Sequence, residues 1–233
     1  MIQRDGRETS TPGMATPSAS GAHHVVADTP GASVIVRHAP LLIVLSGPSA
    51  VGKTTLARAL VAQGWPGYVM VTVTTRRKRL GEVDGVHYHF RTEEQFQEMI
   101  ARDELIERAE VHGNWYGIPA APLRERLAAG QDVLLSIDPQ GAQTIRTRTK
   151  GGVYIFLSPE SLNELVARLD ARNLDSPEQR TLRLLNAERE MAQMDRYDYV
   201  IINRQGQFEA AVEQIKAIIT AEHCRVNPRQ IEV

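Results

Sequence analysis

Short apolar runs alternate with stretches of helical spacing along most of this chain. The runs are Leu41–Leu45, Tyr68–Val73, Val133–Ile137, Val153–Leu157 and Tyr199–Ile202. Their β-branched and aromatic content suits strands buried on both faces. Between them, Leu56 and Leu60 stand four apart, and Leu162, Leu165, Val166 and Leu169 trace one helical stripe behind Ser158, the expected N-cap, and Pro159. Ser176-Pro177-Glu178-Gln179 reads as a capping box opening another helix, and Phe208, Val212, Ile215 and Ile219 mark a last one. Strands alternating with helices imply right-handed crossovers, hence an α/β fold with a parallel five-stranded sheet flanked by helices.

Residues 74–120 break the rhythm. Thr92-Glu93-Glu94-Gln95 caps a short helix bearing Phe96, Met99 and Ile100, and the strand-like pieces Val86–Phe90, Leu105–Val111 and Asn114–Ile118 surround it. This predicts a small α+β insertion in the larger sheet domain. Pro122, the Leu123/Leu127 pair and Gly130 then mark a capped helix leading back to the core.

The first 39 residues are rich in Thr, Pro, Ser, Ala and Gly and carry little periodicity. Such a segment buries too little apolar surface to offset chain entropy, so a disordered tail is expected there, with Met1 and Met14 both open as starts. Net charge is −1, so no global field draws the chain to nucleic acid or an anionic membrane. No apolar run approaches the roughly 20 residues of a membrane-spanning helix. The one cysteine, Cys224, cannot form an internal disulfide, which fits a cytoplasmic setting.

Gly47-Pro48-Ser49-Ala50-Val51-Gly52-Lys53-Thr54 fits the pattern G-x-x-x-x-G-K-[ST] at every fixed position. An apolar run precedes it and a helical pattern, starting near Thr55, follows it. Strand, glycine loop and helix in that order place backbone N–H groups and a helix N-terminus around phosphate oxygens. Lys53 can then reach the terminal phosphates, and Thr54 can offer its hydroxyl to Mg2+. ATP is the expected donor.

Arg76-Arg77-Lys78-Arg79 is the densest basic run. It opens Thr74-Thr75-Arg76-Arg77-Lys78-Arg79-Leu80-Gly81-Glu82-Val83-Asp84-Gly85-Val86-His87-Tyr88-His89-Phe90, which closely resembles the nucleotide-monophosphate-binding segment of guanylate kinases. The resemblance spans residue 41 to about 224 and includes Glu107, Tyr116-Gly117, Ile137-Asp138-Pro139-Gln140-Gly141-Ala142 and the arginine-rich stretch from Arg168 to Arg183. It implies a phosphate-loop fold with a GMP-binding region at 72–120, a helical lid at 169–186, a core of 40–71, 121–168 and 187–225, and a C-terminal tail at 226–233.

The resemblance also implies roles. Residues matching Arg76, Arg79, Tyr88 and Tyr116 hold the GMP phosphate, as suits a dianion that takes bidentate guanidinium donors. Glu107 matches the carboxylate that reads guanine, whose N1–H and N2 amino group one carboxylate can accept together; adenine would leave it unpaired. Asp138 touches either guanine or metal-bound water. Arg168, Arg172 and Arg183 match arginines of the lid and its hinge, with Arg172 and Arg183 expected at the transferring phosphoryl. Asn203 matches a position near adenine.

Four positions depart from the common pattern: Thr72 for a serine, Ile118 for a Ser or Thr donor, Ser136 for an acidic residue, and Asn173 for a glycine. Tyr116-Gly117-Ile118-Pro119 is similar to guanylate kinases of the chloroplast-like branch. These changes bear on base recognition and leave the phosphate chemistry untouched.

The implied activity is Mg-ATP-dependent phosphorylation of GMP, and of dGMP with it, in purine nucleotide supply. Three alternatives remain: a kinase of another phosphate ester such as ribose bisphosphate, a phosphopeptide-binding module on the same scaffold, and a nucleic-acid binder using Arg76–Arg79. Glu107, the intact Lys53-Thr54 pair and the slightly acidic net charge weigh against them in turn. Oligomeric state is not legible.

Overall fold

The computed structural model describes residues 39–111, 113–170 and 185–233. The tail expected at 1–38 and the capping box at Ser176 lie outside them. Five parallel strands form the main sheet in the order β2-β7-β1-β8-β9: β1 (Leu42–Ser46), β2 (Tyr68–Val69), β7 (Val133–Ser136), β8 (Val153–Ser158) and β9 (Tyr199–Ile202). Along β1, Ile43 and Leu45 face one side while Leu42 and Val44 face the other, the period of two that a doubly covered strand requires.

Each face is covered by helices. On one, Leu56 and Leu60 of α1 (Lys53–Ala62), Leu165 of α5 (Leu162–Asp170) and Val212, Ile215 and Ile219 of α7 (Phe208–His223) pack with Ile43 and Leu45. On the other, Leu123 and Leu127 of α3 (Ala120–Ala128) and Ala142 and Ile145 of α4 (Pro139–Arg148) pack with Leu42 and Val44. Truncating any of these fully buried leucines to alanine would cost about 2–5 kcal/mol. Residues 185–191, α6, add Ala187 to the first cluster.

A second sheet, β4-β3-β6-β5, is built from β3 (Val73–Thr74), β4 (His89–Phe90), β5 (Leu105–Val111) and β6 (Asn114–Pro119). Helix α2 (Glu93–Ala101) lays Phe96 against Val73 and Leu105, with Trp115 stacked on Phe96 at 5.8 Å. Its capping box forms as expected: Thr92 accepts from the Gln95 N–H at 3.2 Å and Gln95 accepts from the Thr92 N–H at 3.0 Å.

Four expectations need correction. The run Tyr68–Val73 is not one strand: β2 pairs with β7, then the chain leaves through Val71 and Thr72 and restarts as β3 in the other sheet. An apolar run cannot show where its hydrogen-bonding partner changes. Val86–Phe90 is strand only at His89–Phe90, and Val86 is exposed. Strand β9 is an edge, with Val200 and Ile202 exposed on its outer face, so it is not doubly buried. Ser158 does not cap α5, because β8 runs through it and its hydroxyl donates to the Pro159 carbonyl. Ser161 takes the cap, accepting from the Glu164 N–H at 3.2 Å.

The stretch 226–233, expected as a tail, docks on the core. Lys150 and Glu232 form a backbone bridge and a side-chain ion pair at 2.6 Å, Arg229 grips Glu222 with two hydrogen bonds of 2.9 Å, and Ile231 and Val233 pack against the second cluster. Among the described residues no helix is long and apolar enough to cross a membrane.

Candidate active site

The loop between β1 and α1 owes its shape to the backbone. Gly47 has φ 142°, Ala50 φ 64° and Gly52 φ 107°, three residues in or near the left-handed region within one turn of chain. At Gly47 a Cβ would stand 2.1 Å from the Leu157 carbonyl oxygen, so strand β8 permits no side chain there. Val51 is fully buried in the core and carries the loop inward with it. The Lys53 ammonium donates to the Gly47 carbonyl at 2.6 Å and to the Pro48 carbonyl at 3.0 Å, curling over the loop. Pro48 itself has no N–H to offer and serves as an acceptor.

Asn203 and Arg168 brace this loop from behind. The Asn203 side chain, buried, donates to the Val51 carbonyl at 2.7 Å. Arg168 donates to the same carbonyl at 3.3 Å and to the Asn203 carbonyl at 3.0 Å, while pairing with Glu164. The structure thus gives Asn203, expected near adenine, a bracing role, and Arg168 a place behind the loop.

In front lies an open cleft of about 270 Å³. It brings together Ser49, Ala50, Gly52, Lys53, Thr54 and Thr55 of the loop and helix with Thr72, Tyr88, Glu107, Tyr116 and Asp138 from the second sheet and the start of α4. Gly47, Pro48, Val51, Arg76, Arg79 and Asn203 stand outside its lining. Arg172 and Arg183 lie outside the described residues.

The carboxylate pair at its floor has a precise local origin. Asp138 is the N-cap of α4: its side chain accepts from the Gly141 N–H at 2.8 Å, with Pro139 at the first helical position. On β5, a register shift between Leu105 and Glu107 breaks the alternation, so that Leu105, Ile106 and Glu107 are all buried in succession. Glu107 is 3% exposed. A Cβ on residue 141 would stand 2.9 Å from its Oε1, so Gly141 leaves room for that carboxylate. Burial, reinforced by the nearby Asp138 charge and opposed by Arg148, pushes the Glu107 carboxyl up to about 8. Its oxygens accept no hydrogen bond among the described residues, which suits a group that pairs with a ligand.

Arg76 and the Arg79 backbone gather around Glu82. One Glu82 oxygen pairs with Arg76 at 2.7 Å and the other accepts from the Arg79 N–H at 2.7 Å. Burial works against the Arg76 charge, but the Glu82 hydrogen bond and charge, with Tyr116, outweigh it and hold its pKa above the ordinary value. Arg76 and Arg79, the latter through its backbone N–H and its charge, hold Glu82 below its own ordinary value, against burial. Arg76 also lies over the Tyr88 ring at 5.3 Å, and Tyr88 meets Tyr116 edge-on at 6.1 Å. The Arg79 guanidinium itself is exposed.

Sequence reasoning missed Glu82, the room made by Gly141, and Glu190. Glu82 sits in a quoted motif, six residues from Arg76, but nothing in that spacing reveals an ion pair across a loop. The bulge that buries Glu107 also has no sequence signal. Ile118, in place of a hydroxyl donor, is fully buried in the second cluster and turned away from the cleft, whose lining includes Ser136.

Residues 40–222 match the family model described as Guanylate kinase. The chain is 47% identical over 185 residues to the guanylate kinase of Halalkalibacterium halodurans, covering 79% of this chain and 90% of that protein. It is 42% identical over 187 residues to that of Clostridium perfringens strain SM101, covering 80% and 86%. The crystal structure of guanylate kinase from Anaplasma phagocytophilum superposes with a TM-score of 0.65 at 34% identity, covering 81% of this chain and 89% of that one. With the loop, the carboxylate pair and both tyrosines lining one cleft, this chain belongs to the guanylate kinase family.

Proposed function

We propose that this cleft transfers the γ-phosphoryl group of ATP to GMP, giving ADP and GDP, with the residues assembled above in named roles. The observation that carries the reading is the placement of a buried carboxylate, Glu107, in the same cleft as the phosphate loop. Guanine offers two adjacent N–H donors to that carboxylate, and Thr72 and Asp138, in the same lining, complete the contact. Arg76, Arg79, Tyr88 and Tyr116 hold the 5′-phosphate.

An ionised GMP oxygen attacks the γ-phosphorus in line, the bond to the β–γ bridging oxygen breaks, and ADP leaves with that electron pair. The nucleophile is already an anion, so no side chain has to remove a proton. The protein supplies positioning and charge: backbone N–H groups of the loop cradle the ATP phosphates, Lys53 follows the γ-phosphoryl group, and Arg172 and Arg183 add positive charge to it.

The donors present fit Mg2+ arriving with the nucleotide. Thr54 offers a hard oxygen at the cleft and Asp138 a carboxylate in the same lining, which would suit an ion that keeps most of its waters, and the described residues include no cluster of three or more metal-ligating side chains. When bound, Mg2+ neutralises charge on the β- and γ-phosphate oxygens. The single cysteine and the substrates together favour the cytoplasm as the place of work.

A coupled ADP-release assay with Mg-ATP against GMP, dGMP, AMP, CMP, UMP and ribose phosphates tests this reading. GMP is expected to be used best, with dGMP accepted. Equal turnover of AMP and GMP would sink the base assignment, and a preference for a ribose phosphate would sink the whole function.

A further inference from the structure

One carboxylate in the cleft has no part in that chemistry. Glu190, on α6, accepts a hydrogen bond from the Ser49 N–H at 3.2 Å. Ser49 belongs to the first half of the phosphate loop, whose backbone N–H groups are what such a loop offers to phosphate oxygens. Glu190 lines the same cleft as Lys53, Thr54 and Asp138. Its helix is not loose there, because Ala187, one turn earlier, is buried in the core with Val51 and Leu165. A packed helix therefore presents this side chain to the loop. The charges facing it are Lys53 from α1 and Asp138 from the start of α4; burial first, and Asp138 with it, raise the Glu190 pKa against the pull of Lys53 and Ser49.

We propose that Glu190 is an internal anion that competes with the nucleotide's phosphate for the Ser49 amide and so sets the affinity for ATP. A single N–H cannot serve a carboxylate and a phosphoryl oxygen at full strength together. A carboxylate held beside the loop also repels the polyphosphate it must receive, and it shares the field of Lys53 with that ligand. The competition grows with the charge brought in, so it acts more on MgATP than on MgADP. The inference rests on the reading of this loop as the ATP site.

Calorimetric titration of the full-length chain, its Glu190→Gln and its Glu190→Ala variants with MgATP, MgADP and GMP decides the matter. Gln keeps an acceptor for Ser49 and removes only the charge. Both variants should bind MgATP about 3- to 10-fold more tightly than wild type, by the usual worth of one partly screened charge. MgADP should gain less and GMP should not change. Melting curves confirm that each variant is folded. If both bind MgATP equally well or more weakly, Glu190 merely braces the loop and the inference falls. A wild-type chain that phosphorylates GMP in that case leaves the proposed function standing; one that binds no MgATP overturns both.

Discussion

The phosphate loop and the pocket proposed for guanine reach the same cleft by different means. The loop is a backbone object: positive φ angles at Gly47, Ala50 and Gly52, a glycine pressed against the Leu157 carbonyl, and carbonyls fixed by Asn203 and Arg168. Few of its side chains matter to its shape. The guanine pocket is a side-chain object. Glu107 owes its position to a strand irregularity, its space to Gly141, and its electrostatics to Asp138, Arg148 and burial. A backbone site is rigid and generic, able to hold any polyphosphate. A side-chain site is specific and vulnerable, because each group depends on a second one.

The contrast is broken most severely at the one loop side chain that chemistry needs. Lys53→Ala should lower kcat on the order of 100-fold or more, by loss of a charge clamp on the transferring group. Melting temperature should stay near wild type, since the ammonium bonds to carbonyls of the loop and carries no core packing. Stopped-flow or coupled turnover with parallel thermal melts checks this, and near-normal kcat would remove Lys53 from catalysis.

In the side-chain site, Glu107→Gln should raise the GMP KM about 100-fold, from a donor–donor clash plus loss of charge assistance together worth about 3 kcal/mol. ATP binding should stay close to normal, and AMP should gain relative to GMP. The wild type adds a pH signature. Guanine needs the ionised carboxylate, whose folded pKa is about 8, so the GMP KM should fall as pH rises from 6 to 8 and level off above it. Stability moves the other way. Unfolded, the carboxyl ionises near 4.5, so between 4.5 and 8 the folded chain holds a proton the unfolded one has released. Its contribution to stability therefore declines as pH rises through that window, and Glu107→Gln should flatten that part of the melting-temperature profile.

A smaller effect sharpens the comparison. Gly141→Ala places a Cβ within 2.9 Å of Glu107 Oε1, where real Cβ atoms are not found, and the carboxylate must shift. The GMP KM should rise about tenfold, as for one weakened charge-assisted hydrogen bond, with the ATP KM unchanged in steady-state kinetics. A response in both substrates would show that α4 moves as a unit and that the pocket is not side-chain-built. Smallest of all, removal of residues 1–38 should leave kcat/KM and melting temperature nearly unaltered, given their composition; a drop of many degrees would show that they pack on something.

The same contrast explains what was legible beforehand. The loop motif and the alternation of strands and helices report backbone requirements, and backbone requirements leave fixed residue types at fixed spacings. Strands β1, β7, β8 and β9 therefore fall within a residue of their expected bounds. Ser158 failed as a cap because pairing with β9 extends β8 through it, a tertiary effect no local signal carries. The break inside Tyr68–Val73 is likewise a change of partner. Glu107 and Arg76 were reached through the family resemblance; their burial, and the dependence of Arg76 on Glu82, required the fold. The Arg172 and Arg183 assignments rest on that resemblance still.

The bridge between Lys150 and Glu232 has a mechanical consequence. It pins together two points 82 residues apart, one at the entrance to β8 and one at the end of the chain. Everything from β8 through α7 hangs between those points like a rope with both ends tied. Holding those ends together costs the loop-closure entropy of that length, which the packing of Ile231 and Val233 on the core helps to offset. The strap is also the outermost knot. The segment it closes carries Leu157, Arg168 and Asn203, so the shape of the phosphate loop depends on a stretch that is tied down far from it in sequence.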